Sequence, residues 1–124
     1  PFPARRFDLV WCAQSLISLS DPTAVLAEMR RVTRPGGVVA VLETDELHHV
    51  RLNWPAGLEV AVHQATVATA RRKYGGAGRL SPSRWVGRAM QQAGLRDVRQ
   101  RTVAADRQAP FDPATTDFLR LHLD

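Results

Sequence analysis

Two short runs of nearly uninterrupted apolar residues, FDLVWC at 7–12 and VVAVLET at 38–44, constrain this chain more than any other feature. Strands that alternate apolar and polar residues have one wet face; runs without alternation are covered on both faces, as in parallel sheets. A parallel pair also needs a crossover of a dozen residues or more, usually helical. The intervening segment supplies one. Asp21 is a good N-cap and Pro22 suits the first helical position, where a missing N–H costs nothing. Val25, Leu26, Met29 and Val32 form one apolar stripe, and Arg30, Arg31 and Arg34 fall where the helix dipole favours cations. Pro35-Gly36-Gly37 then ends the helix and turns the chain. The reading is a βαβ unit with a right-handed crossover, and hence an α/β fold with parallel strands and flanking helices.

Beyond this unit the signals thin. Residues 57–72 suit a helix with a weak, alanine-rich face, and residues 74–80, with three glycines, suit a loop. Ser81-Pro82 opens a further helix carrying Trp85, Val86, Ala89, Met90 and Ala93 inward, with Gly94 as its C′ residue. Residues 95–104 read as a third strand, and Asp112-Pro113 starts a last helix.

At 124 residues the chain is at most one domain, and its 44% hydrophobic content suits a globular fold. No run of about 18 apolar residues is present, which argues against a membrane span. The first residues have neither an initiating Met nor the pattern of a signal peptide, and the single cysteine, Cys12, suits a reducing cytoplasm. The net charge of +5 is carried almost wholly by arginine, Lys73 being the one lysine. Such a charge can attract phosphate. Yet the arginines are spread along the whole chain, as the pairs Arg5–Arg6, Arg30–Arg31 and Arg71–Arg72 and then at wide intervals from Arg79 to Arg107, with no interleaved aromatics for base stacking. The sequence therefore favours solvated helix faces over a nucleic-acid partner.

The order of these pieces resembles class I S-adenosylmethionine-dependent methyltransferases. PFPARRFDLVWCAQSLISLSDP is similar to that family's stretch around its fourth strand, and VLAEMRRVTRPGGVVAVLETD to the helix, Pro-Gly-Gly turn and fifth strand that follow. WVGRAMQQAGLRDVRQRTV resembles the late helix, Ala-Gly turn and sixth strand. The resemblance implies the C-terminal part of one Rossmann-like methyltransferase domain spanning 1–124, with 47–80 as its substrate cover. It also implies S-adenosylmethionine as cofactor and a small-molecule methyl acceptor. The family's glycine-rich loop and the acid ending its second strand have no counterpart; GGAG at 75–78 lacks the spacing and the preceding strand. The chain alone is therefore expected to be an inactive fragment, and the antiparallel seventh strand is absent unless 117–123 supplies it. By the same resemblance, the backbone of Cys12 and Ala13 faces the methionine part of the cofactor, Leu16 packs near it, and Gln14 offers a hydrogen-bonding side chain.

Glu43 and Asp45, two apart, share a face if the strand continues, and one of them could accept the acceptor's proton as a general base. The competing reading is a pair of solvated or arginine-paired carboxylates. Asp45, His48, Trp54 and Tyr74 are candidate substrate contacts. His48, His49 and His63 lack metal-ligand spacing, and Cys12 has no polarising pattern beside it, so neither a metal nor a thiolate nucleophile is expected. Two other functions stay open: an arginine-rich, non-catalytic module binding nucleic acid, and a piece of a nucleotide-dependent oxidoreductase. The second needs a glycine-rich βα turn that these residues lack.

Overall fold

The computed structural model describes residues 2–45, 50, 52–76 and 78–123, with only the backbone of Arg79, His122 and Leu123. Strand β1 (Phe7–Ala13), helix α1 (Pro22–Val32) and strand β2 (Thr33–Leu42) form the expected unit. The strands pair in parallel, Val10 beside Val39, Trp11 beside Ala40 and Cys12 beside Val41. Asp21 caps α1 by accepting a 2.9 Å hydrogen bond from the Ala24 N–H.

Strand β2 starts five residues earlier than the sequence suggests, because Pro35-Gly36-Gly37 is absorbed as an irregularity in the ladder rather than a separate turn. Phe7 pairs with Thr33 and Leu9 with Val38, so two steps on β1 face five on β2. Gly36 takes a φ of 76°, open mainly to glycine. At Gly37 a Cβ would lie 2.7 Å from Thr33 Cγ2 and 2.8 Å from the Asp8 carbonyl oxygen. Gly37→Ala should therefore destabilise the fold by about 1–3 kcal/mol, the usual cost of overpacking, read as a lower denaturation midpoint. Gly57→Ala, with open space around it, is the control.

One face of the sheet carries the core. Leu16, Leu26, Met29, Ala89 and Ala93 pack together, with Val10 and Cys12 of β1 and Val39 and Val41 of β2 against them. The opposite face is bare among the described residues: Leu9, Trp11, Val38 and Leu42 are each 51–57% exposed. This departs from the expectation of strands covered on both sides. Helix α2 (Ala56–Tyr74) does not cover them, for its apolar residues lie around the helix and only Ala70 is buried.

Ser81-Pro82 opens a 3-10 turn (Pro82–Arg84) before helix α3 (Val86–Gln92), not one continuous helix. Gly94, with φ 83°, closes α3: its N–H donates to the Gln91 carbonyl, and that of Leu95 to Met90. The expected third strand at 95–104 does not form. The described sheet has two strands, so this segment has no ladder to join, and Asp97 breaks extension with a φ of 53°. Residues 117–123 are helical, as part of α4 (Pro113–Leu123), so they supply no seventh strand.

Candidate functional site

In an open parallel sheet, ligands bind beyond the carboxyl ends of the strands, where the connecting loops diverge. Here those ends are Ala13 and Leu42, side by side in the ladder. The Gln14 N–H donates to the Leu42 carbonyl at 2.8 Å, extending the pairing by one residue. Gln14 then adopts a φ of 48°, a region that residues with a Cβ seldom occupy. The chain is thereby turned sharply into the 3-10 turn Leu16–Ser18, leaving the Gln14 and Ser15 side chains exposed.

Glu43 holds this turn in place. Its Oε1 accepts hydrogen bonds from the backbone N–H groups of Ser15, at 3.0 Å, and Leu16, at 2.8 Å. These are charge-assisted bonds to donors that would otherwise be orphaned at the start of a helical turn. Oε2 of Glu43 is buried and has no hydrogen-bond partner among the described residues. Asp45 points to different business: its carboxylate accepts from Ser81 Oγ at 3.1 Å and Ser83 Oγ at 3.4 Å. The two acids therefore do not converge on one point. The end of β2 ties down the loop after β1 with one carboxylate and the turn before α3 with the other.

The remaining sequence candidates are dispersed. Leu16 is fully buried in the core, so its side chain presents no surface to a ligand here. Cys12 is partly buried; burial raises its thiol pKa, and the Glu43 charge adds to this against a hydrogen bond with Ser15. A thiol so shifted is mostly protonated near neutral pH and a poor nucleophile. Trp54 and Tyr74 are both partly buried but lie at opposite ends of α2, a helix about 28 Å long for 19 residues at 1.5 Å each. His48 and His49 lie outside the described residues. Among the described ones, no three His, Cys, Asp or Glu side chains gather as metal ligands would.

Sequence reasoning missed Ser15, Ser81 and Ser83 as partners of the acids. The signal for Ser15 was the register itself: once Ala13 pairs with Leu42, Glu43 must fall beside the turn after Gln14. Nothing local marks Ser81 and Ser83, which are 36 and 38 residues from Asp45.

Residues 1–41, which span β1, α1 and nearly all of β2, match the methyltransferase domain family. An uncharacterized methyltransferase of Schizosaccharomyces pombe is 51% identical over 47 residues, 38% of this chain and 17% of that protein. The ubiquinone/menaquinone biosynthesis C-methyltransferase UbiE of Cupriavidus necator is 56% identical over 43 residues, 35% of this chain and 18% of its own length. The enzyme of the same name from Burkholderia cenocepacia matches to the same extent. The chain thus aligns with under a fifth of the length of these curated relatives. No solved structure matches it. The resemblance to class I methyltransferases is borne out by these matches in the first third of the chain.

Proposed function

We propose that this chain, whose residues 1–41 match the methyltransferase domain family, works within a class I enzyme that transfers a methyl group from S-adenosylmethionine to a small molecule. The observation that carries the reading is the strained Gln14 turn at the carboxyl end of the parallel pair, pinned by Glu43. It fits the cofactor's polar end in two respects: the Gln14 amide is exposed, and the backbone bends away from the sheet. Cys12, Ala13 and Gln14 would line that end. When bound, the cofactor supplies an activated methyl on a sulfonium.

The chain's own work is then to position and to exclude water, the main demands of an in-line displacement. Glu43 keeps the turn in shape through two amides, and Asp45 holds the 81–83 segment beside it. Both carboxylates are engaged in structure, which favours a mechanism of proximity over general-base catalysis by either. Asp45, His48 and Trp54 are the candidates for the acceptor side; Tyr74, at the opposite end of α2 from Trp54, does not share a small acceptor with them. The C-methyltransferases among the relatives make an acidic carbon the first acceptor class to try. A cytoplasmic setting suits such chemistry and the lone cysteine; no helix among the described residues is long and apolar enough to cross a membrane.

The test is methyl transfer from labelled S-adenosylmethionine by the longer protein carrying these residues, with Glu43 varied. Glu43→Ala removes the acceptor of two amides, a cap-like loss of about 2 kcal/mol, and should raise the cofactor KM roughly 30-fold. Glu43→Gln keeps an acceptor oxygen and should restore most of that affinity, with kcat little changed. A general base would instead lose about 100-fold in kcat in both variants. Absence of any transfer from the cofactor by the folded wild-type protein would refute the assignment.

A further inference from the structure

A cavity lies at the other end of the sheet, where α1 finishes and the chain enters β1. Its volume is about 620 Å³, within the range of small-ligand sites. Arg5, Arg30, Arg31, Arg34 and Arg96 line it, and no acidic residue does. Arg31 is paired with Glu28 and Arg34 with Asp8 just outside the cavity, leaving Arg5, Arg30 and Arg96 without a carboxylate partner among the described residues. These arginines are spread over the sequence, and only the fold gathers them.

The bland explanation is that cations complement the carbonyl ends of helices. The carbonyls at the end of α1 are already satisfied, however. The N–H groups of Arg5 and Arg6 donate to the Arg31 and Val32 carbonyls at 2.9 and 2.7 Å. The Thr33 hydroxyl donates to Met29 at 2.7 Å, and the Thr33 N–H to Arg30 and Met29. In the cavity only the Arg31 guanidinium reaches a carbonyl, that of Phe2. The guanidinium of Arg30 instead lies over Gly94, where a Cβ would come within 3.2 Å of its Cζ and Nε. A side chain at 94 would displace it from the cavity.

We propose that this cavity is a binding site for a small anion bearing two or more phosphate groups. Planar guanidinium groups bind phosphate oxygens in paired, charge-assisted hydrogen bonds, and several cations on one concave wall reinforce each other's attraction for a polyanion. A single phosphate would leave part of this charge unmatched. A nucleic-acid strand is the less suitable ligand, because the charge is confined to a cavity rather than drawn out in a stripe, and no aromatic ring lines it for stacking. The site is remote from the Gln14 turn and stands independently of the methyl-transfer reading.

The probe is inorganic tripolyphosphate, titrated calorimetrically into the intact protein, with orthophosphate and a twelve-nucleotide single strand as comparators. Tripolyphosphate should bind and weaken steeply with added salt, while orthophosphate binds at least roughly tenfold more weakly. The double variant Arg30→Gln/Arg96→Gln should lose about tenfold or more in affinity. Both residues are exposed, so its thermal midpoint should stay near that of the wild type. Arg72→Gln on α2, outside the cavity lining, should bind as the wild type does. Undiminished binding by the double variant, no binding of tripolyphosphate at low salt, or preference for the oligonucleotide would each overturn the proposal.

Discussion

In the longer protein that carries these residues, replacing Leu16 by Asp should abolish cooperative folding of this domain. The side chain has no solvent exposure, and it sits where the turn after β1 meets α1 and α3, with Leu26, Met29, Ala89 and Ala93 in the same cluster. An aspartate there must either be buried as a charge or take up a proton to stay neutral. The first is prohibitive and the second still leaves polar atoms without partners. Either outcome costs several kcal/mol against a total stability of about 5–15 kcal/mol for ordinary domains. Leu16→Ala provides a graded version, with an expected loss of about 2–5 kcal/mol from the cavity it leaves. Chemical denaturation monitored by circular dichroism measures both. The variants also separate two roles for Leu16: as a core residue, Leu16→Met conserves volume and costs less than about 1.5 kcal/mol, with cofactor affinity unchanged. A stable Leu16→Met protein with sharply weakened cofactor binding would return Leu16 to the ligand surface.

That reversal of emphasis at Leu16 shows which parts of the molecule were legible in the chain. The β1–α1–β2 unit could be read residue by residue, because its determinants are local: Asp21 and Pro22 start the helix and an apolar stripe fills one side. The start of β2 could not, since pairing of Thr33 with Phe7 depends on how the Pro-Gly-Gly segment is absorbed by a neighbouring strand. Residues 95–104 have the composition of a strand, yet composition cannot supply a partner, and the described sheet offers none. At the strand ends the residue types were readable and their hydrogen-bond partners were not. Glu43 looked like a base because its type and strand position permit it; two amides from a loop 27 and 28 residues away make it a brace. The arginines looked scattered for the same reason: convergence of Arg5, Arg30 and Arg96 on one cavity is created by tertiary structure alone.

The 124-residue chain by itself should bind S-adenosylmethionine poorly and transfer no methyl groups, and this is the largest functional effect expected. On the proposed reading the cofactor is held between several loops, of which these residues would contribute only the Gln14 turn and the end of β2 as one wall. No glycine-rich turn between a strand and a helix is present in them to aim backbone amides at a carboxylate. A ligand covered on one side gains little to offset its lost translational and rotational freedom. The sheet adds a second penalty. Its bare face exposes Leu9, Trp11, Val38 and Leu42 together, and a two-stranded sheet has an unpaired edge on each strand. Exposed apolar surface beside open edges promotes association between copies. The isolated chain should thus elute from a sizing column as a concentration-dependent oligomer and melt broadly. Trp11→Lys/Val38→Lys, which places charge on that face and leaves the Leu26–Met29 core untouched, should shift it toward monomer. Titration with S-adenosylmethionine, run beside the melt, measures the binding half of the expectation. A sharply melting monomer that binds with a Kd of roughly 1 μM, about −8 kcal/mol, would mean that this single wall suffices, and the whole-site argument would fall.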